Sequence, residues 1–267
     1  RSRDRAWLGD HMEGLEQSLS LVESCIDRQG RLWSDVYYED QVIKDGRECM
    51  AQALAARSFE LMAQLEEVLK RDRQAEHYRT VSKILGKALV ESLPAGFWDA
   101  SKNRFVDWVD RNSVPHDHIH LLANELPSLF HYTKPEQEDG VDRLMEECFL
   151  EFQRFPSFVS AQIADYTEAE IGSGGPYDLC AAGRYWCWDF EYWREKGRSD
   201  ILEQQLLAVC RQARTDEYRM GERYDMNYVY YLSEKNWHGA AHYYEYPCVF
   251  IWNLIAGYAG VRFGLQA

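Results

Sequence analysis

Two acidic motifs, one near each end of the 267-residue chain, contain residue types that can move protons. In the first motif, Asp4 lies between Arg3 and Arg5, and Trp7 and Asp10 follow. Neighbouring arginines favour an ionised carboxylate, whereas burial against an indole favours a protonated one, and a general acid needs the second effect to prevail. The alternative is a solvated helix start with ordinary Arg–Asp ion pairs.

Two further polar motifs lie near the C-terminus. Glu222 is followed directly by Arg223. Glu222 is either a catalytic carboxylate or part of a polar loop after a helix. Trp237 and His238 precede the last helix, which would place an indole and an imidazole at one end of it, and Glu245 follows within two turns. The alternative for Glu245 is a carboxylate that tyrosine hydroxyls satisfy.

Three alternating histidines, within residues 116–120, follow Asp107 and Trp108 in the middle of the chain. Three histidines could bind a metal ion. Zinc sites, however, usually combine three or four ligands at helical or Cys-x-x-Cys spacing, which these alternating histidines do not have. We therefore favour helix caps and contacts with sugar hydroxyls, with Asp117 and His118 as the candidates, and predict no metal and no cofactor.

Trp186 and Asp189 are three positions apart, so they share one face of a predicted helix. They either present an aromatic platform with a hydroxyl acceptor or simply pack in the core. An aromatic ring suits a sugar because it offers an apolar face and a polar edge.

Helical periodicity runs through almost the whole sequence, and Leu54, Leu61, Leu65 and Val68 show its apolar stripe. The predicted helices span residues 10–26, 46–70, 75–93, 117–131, 138–153, 178–196 and 199–214. From 240 to 261 charges are scarce and apolar residues lie on all sides, which predicts a buried inner helix. About eight helices in one domain, residues 1–267, are too few for a closed ring of twelve.

Composition excludes several partners. A net charge of −14 offers few cationic groups for nucleic acid or an anionic membrane. The seven cysteines show no Cys-x-x-Cys pair, which argues against a disulfide framework. No signal peptide and no long apolar run is visible, so we lean towards a cytoplasmic location. The chain starts inside a dense motif without Met, so we expect an upstream part.

These motifs, in this order, resemble those of the α-L-rhamnosidase-like six-hairpin glycosidases over nearly the whole chain. The resemblance implies an all-α fold, part of an (α/α)6 toroid, with Asp4 as general acid and Glu222 as general base. Two departures stand out, because one residue rather than two separates Arg5 from Trp7, and Tyr224 replaces a tryptophan.

The resemblance implies a glycoside hydrolase that removes a terminal sugar, with two carboxylates about 6.5–9.5 Å apart in an inverting mechanism. A carbohydrate or glycoside is the expected substrate, and a partner chain or an upstream segment would complete the toroid. The residues expected to bind substrate are Arg3, Trp7, Asp10, Asp107, Trp108, Asp117, His118, Trp186, Asp189, Trp237, His238 and Glu245.

Two other functions remain open from the sequence. A sugar epimerase or polysaccharide lyase on the same toroid would use histidine or tyrosine as proton carrier, and His118, His238 and His242 are available. A non-catalytic sugar-binding protein would keep the aromatic and acidic residues without turnover.

Overall fold

The computed structural model describes residues 4–33, 42–171, 179–224 and 242–261. Of these residues 60% are helical, and each strand has only two residues. The prediction of an all-α fold is confirmed.

The described residues form ten α-helices and seven short strands. The helices are α1 (Arg5–Ser24), α2 (Cys49–Val68), α3 (Asp72–Leu89), α4 (Leu121–Leu129), α5 (Pro135–Glu147), α6 (Phe149–Phe152), α7 (Glu168–Ile171), α8 (Trp186–Glu195), α9 (Ser199–Thr215) and α10 (Glu245–Trp252). A π-helical segment, Asn253–Tyr258, continues α10. The strands are β1 (Arg47–Glu48), β2 (Trp98–Asp99), β3 (Arg104–Phe105), β4 (Trp108–Val109), β5 (Pro115–His116), β6 (Ala181–Ala182) and β7 (Arg223–Tyr224).

Inner and outer helices alternate along the chain. Helix α4 packs between α2 and α8, and α10 packs against α8. All nine residues of α4 are buried, as expected for an inner helix without a polar face. Helices α3, α5 and α9 pack against α2, α4 and α8 respectively, and their polar faces lie in solvent. The chain is therefore built from inner–outer helix pairs.

Hydrogen bonds join the connections that precede the inner helices. β1 pairs with β4 and β4 with β5, which ties the start of α2 to the segment before α4. The N–H of Leu121 donates to the carbonyl of Val159, and β6 pairs with β7. The N–H of Arg184 donates to the carboxylate of Glu245 at the start of α10. The N-terminal ends of the four inner helices thus lie at one end of the bundle, called here the rim (residues 42–48, 105–120, 166–170, 179–185, 220–224 and 242–245).

The last helix differs from the prediction of a buried inner helix. Tyr246, Asn253 and Ala256 are buried on one face, whereas the side chains of Ile251 and Trp252 are each 59% exposed. The prediction of all-round burial is wrong for this segment, because no helix in the described part of the chain covers its outer face. None of the described helices combines the length and apolar character that a membrane span requires.

Candidate functional site

Glu222 lies at the rim beside Arg184. The β6–β7 pair holds the residues preceding β7 next to the residues following β6. The Arg184 Nη2 atom lies 3.9 Å from the carboxylate of Glu222, and its Nε atom lies 3.5 Å from the carboxylate of Glu245. Gly183 permits this approach, because a Cβ there would lie 2.5 Å from the backbone nitrogen of Tyr246. One guanidinium therefore contacts two carboxylates that arrive on different connections.

Charges are balanced in this group. The side chains of Glu222 and Glu245 are 12% and 8% exposed, and the buried Arg223 lies 3.6 Å from Glu245 through its Nη1 atom. Burial and then the negative charge of Glu222 raise the pKa of Tyr243 to about 12, so its hydroxyl keeps its proton at neutral pH. Two carboxylates, two guanidiniums and a protonated phenol thus meet at the rim, which suits proton transfer and hydroxyl binding.

A second rim group surrounds Asp107. The Lys44 ammonium lies 2.8 Å from both the Asp107 and the Glu48 carboxylates, and the Tyr166 hydroxyl donates to Asp107 at 2.9 Å. All four residues are buried. Asp107 was predicted to bind substrate. Its oxygens instead bond to Lys44 and Tyr166, and the residue is fully buried, so we leave it out of the candidate site.

The residues around Trp108 form a stack of aromatic rings. Trp108 is buried and stacks on His116 with ring centroids 4.1 Å apart, and His118 stacks on Tyr166 at 3.7 Å. The predicted sugar platform of Trp108 is therefore covered by protein rings. Outside this stack, Asp117 pairs with Lys102 and Arg104.

His118 stays a candidate for substrate contact. It is partly exposed, although one of its ring nitrogens already bonds to Glu170. The third histidine of the alternating run, His120, caps α4 by accepting a hydrogen bond from the N–H of Ala123, as the cap interpretation expects.

Trp186 and Asp189 pack in the core, which is one of the two alternatives that their spacing left open. The Trp186 indole donates to Gln205 at 2.9 Å, and Asp189 accepts from the N–H of Ser157 and from Gln205. Both are fully buried, so neither offers a surface to a sugar. The predicted role in substrate binding is therefore not supported.

Asp4 lies away from the rim. Its carboxylate accepts from the N–H of Trp7 at 2.9 Å and caps α1. Farther along α1, Glu16 pairs with Arg71 in the turn between α2 and α3, and Glu23 pairs with His77. Helix α1 therefore runs towards the rim, and its start lies about 18 Å beyond Glu16, past the opposite end of the bundle.

The described contacts thus do not bring Asp4 and Glu222 together. Trp7 is exposed and stacks on His11, and Asp10 is also exposed on α1. The contacts of α1 do not support the predicted acid–base pair, because an outer helix runs in the opposite direction to an inner one. Three predicted site residues, Arg3, Trp237 and His238, lie outside the described residues.

Sequence reasoning missed three rim residues, namely Arg184, Tyr243 and Glu170. Arg184 stands just before the predicted helix containing Trp186, a position that places it at a helix start. Nothing in the sequence links Glu170 to the histidines more than fifty positions before it.

The larger of two described cavities, about 620 Å³, lies elsewhere, between α2, α3 and the turn after α4. Arg57 and Glu60 pair with each other on its wall, as do Arg79 and Glu67. The two carboxylates on its wall pair with different arginines, whereas Glu222 and Glu245 share one, so we place the candidate site at the rim.

An arc of alternating inner and outer helices, with the inner helix starts gathered at one rim, defines part of an α/α toroid. The chain is similar in fold to a solved structure, the GH78 family rhamnosidase of Bacillus sp. GL1, with a TM-score of 0.66 at 15% sequence identity. The match covers 94% of this chain and 24% of that chain. No protein-family profile matches the sequence, and no curated protein does. The likeness establishes the fold.

Proposed function

We propose that this protein is a glycoside hydrolase that removes a terminal sugar by an inverting mechanism, with Glu222 as general base. The observation that carries the proposal is the approach of Glu222 and Glu245 to one guanidinium, that of Arg184, at the rim of an α/α toroid. Its similarity in fold to a GH78 rhamnosidase supports a carbohydrate as substrate.

In the proposed reaction, a general acid protonates the glycosidic oxygen while the bond from that oxygen to the anomeric carbon breaks. Glu222 accepts a proton from a water molecule, and the water oxygen attacks the anomeric carbon from the opposite face. The sugar gains a hydroxyl of inverted configuration, and the aglycone leaves with the proton of the acid. Glu245 and Arg184 would hold substrate hydroxyls, and Tyr243 would orient the water.

The substitution Glu222→Gln tests the base. It keeps the shape of the side chain but removes the proton acceptor, so turnover should fall by about 10²–10⁴-fold. The melting temperature should change little, because the amide keeps the shape of the side chain and Arg184 keeps its contact with Glu245. Turnover on a panel of aryl glycosides and the melting temperature are measured on the same preparations.

Glu60→Gln is a matched control, because Glu60 also pairs with an arginine, Arg57, at 2.7 Å but lies outside the rim. It should leave turnover unchanged.

Azide added to Glu222→Ala should restore turnover and give a glycosyl azide of inverted configuration. Full activity in Glu222→Gln would contradict the assignment. An isomerised or unsaturated product would point to an epimerase or lyase, and binding without turnover to a sugar-binding protein.

A further inference from the structure

Three potential metal ligands converge at the rim, outside the Glu222 group. His116 ends β5, His118 follows it before α4, and Glu170 lies on α7. The Glu170 Oε1 atom lies 2.8 Å from His116 Nδ1 and 3.1 Å from His118 Nε2. The three ligand atoms all lie within 4.8 Å of one another.

Each of the three side chains is held in one orientation before any ion binds. The His116 ring stacks on Trp108 at an interplanar angle of 10°, and the His118 ring stacks on Tyr166 at 13°. The other oxygen of Glu170 accepts from the backbone N–H and the hydroxyl of the same residue, Thr167, at 2.7 and 2.9 Å. Little side-chain entropy remains to be lost on binding.

The distances fit a tetrahedral ion. Zinc bound at about 2.0–2.1 Å separates neighbouring ligand atoms by about 3.3 Å, close to the two distances observed here. The side chains of His116, His118 and Glu170 are 26%, 11% and 13% exposed, so solvent can reach a fourth position.

The ligand atoms are also suitably placed. The Glu170 Oε1 atom faces both imidazoles, while its Oε2 atom is held by Thr167. Each neutral imidazole can carry its proton on the nitrogen that faces away from Glu170. For His116 that nitrogen, Nε2, lies 4.0 Å from the carboxylate of Asp110, the kind of outer partner that orients a metal-bound histidine.

We propose that His116, His118 and Glu170 bind a divalent cation of the zinc type, with water as the fourth ligand. Two imidazoles and one carboxylate select zinc, cobalt or nickel over magnesium and calcium, which prefer oxygen ligands. The ion joins β5 to α7, whose Glu170 carbonyl also accepts from the N–H of Ile43 before α2. It therefore holds three connections of the rim together, and its binding can be measured without any assay of the proposed hydrolase activity.

The test uses the full chain after removal of metal with a chelator. Calorimetric titration with zinc chloride should show one equivalent bound, and cobalt should give the visible absorption of a tetrahedral site. His118→Gln and Glu170→Gln should each weaken binding by about 100-fold or more, beyond the usual cost of losing an outer partner. His77→Gln is the control, because His77 pairs with Glu23 at 3.1 Å on the surface.

X-ray absorption of the zinc-loaded wild-type protein gives a second readout that needs no variant. Two imidazoles with oxygen ligands are the expected first shell. Sulfur ligands would assign the ion to cysteines and overturn the proposal. Equal zinc binding by wild type and both ligand variants would also overturn it, as would a folded wild-type protein that binds no zinc.

Discussion

Arg184 links the proposed base, Glu222, to a second carboxylate. Its guanidinium contacts Glu222 and Glu245, and its backbone N–H donates to Glu245. The position of the proposed base therefore depends on three connections that meet only in the folded chain. A base held in one orientation contributes to catalysis because reacting groups then need not be ordered in the transition state.

At the residue scale, the position of Asp4 leads to a discriminating prediction. Asp4→Asn should leave both turnover and melting temperature nearly unchanged, since asparagine caps a helix about as well as aspartate. Asp4→Ala should lower the free energy of unfolding by about 0.5–2 kcal/mol through loss of the cap, again with little change in turnover. Kinetics and thermal melts of the two variants provide the measurement.

A loss of turnover in Asp4→Asn with an unchanged melting temperature would restore Asp4 as the acid. That result would also require α1 to bring its first residue to the rim. The sequence alone could not settle this point, because a polar motif before a helix looks the same on an inner and an outer helix. Contacts of α1 with Arg71 and His77, far along the chain, determine its direction.

At the scale of elements, a buried carboxyl pair joins the inner helices α4 and α8. Glu125 and Asp189 are both fully buried, and each carboxyl affects the pKa of the other. Burial raises the pKa of Glu125 well above its ordinary value, and the charge of Asp189 adds to the effect. Burial also raises the pKa of Asp189, to about 6. The Glu125 carboxyl therefore keeps its proton to higher pH than an exposed glutamate does.

This pair predicts how stability depends on pH. Both raised pKa values mean that the folded protein keeps protons that the unfolded chain has released, so the free energy of unfolding falls as pH rises above about 4. For Asp189 the fall ends near pH 6, and for Glu125 it continues higher. Glu125→Gln keeps the shape of the side chain but binds no proton, so its stability should fall less with rising pH.

Urea unfolding of both proteins at about pH 4, 6 and 8 measures this difference. The free energy of unfolding of the variant relative to wild type should rise with pH, whereas Glu60→Gln, altered at an exposed ion pair, should track wild type. Parallel curves for wild type and Glu125→Gln would show that Glu125 titrates normally.

Most helices were predictable because their apolar stripes are long. The helix predicted at 46–70 spans 49–68, and the one predicted at 199–214 spans 199–215. The helix predicted at 178–196 begins only at Trp186, because β6 and a 3₁₀ turn occupy the residues before it. Two-residue strands carry no periodic signal, so the rim they build could not be predicted, although the position of Glu222 near a helix end could.

At the scale of the whole molecule, the outer face of the last helix is apolar and exposed. Ile251, Trp252 and Ile255 line a cavity of about 220 Å³ on this face together with Cys248. Ile251→Lys should lower the binding of a hydrophobic dye such as bis-ANS, with a change in stability within about 0.5 kcal/mol. Leu150→Lys, at an exposed leucine of α6, should leave dye binding nearly as in wild type. Equal dye fluorescence in all three proteins would show that this face is covered.

The same face bears on the completeness of the toroid. The helices described here form an arc, and an apolar inner helix at its end would be buried by a further pair of helices. That a partner chain or an upstream segment supplies this pair stays a prediction.

The rim affects the order in which parts of the protein unfold. Its strands join distant segments, as Arg47 pairs with Val109 and Ala182 with Arg223, whereas α2 and α3 need only a short turn between them. Closing long loops costs entropy before the contacts they bring can form, so we expect the helix pairs to form before the rim and to unfold after it. A preparation that has lost its site can therefore show nearly full helix content by circular dichroism, and helicity alone is no measure of intact material.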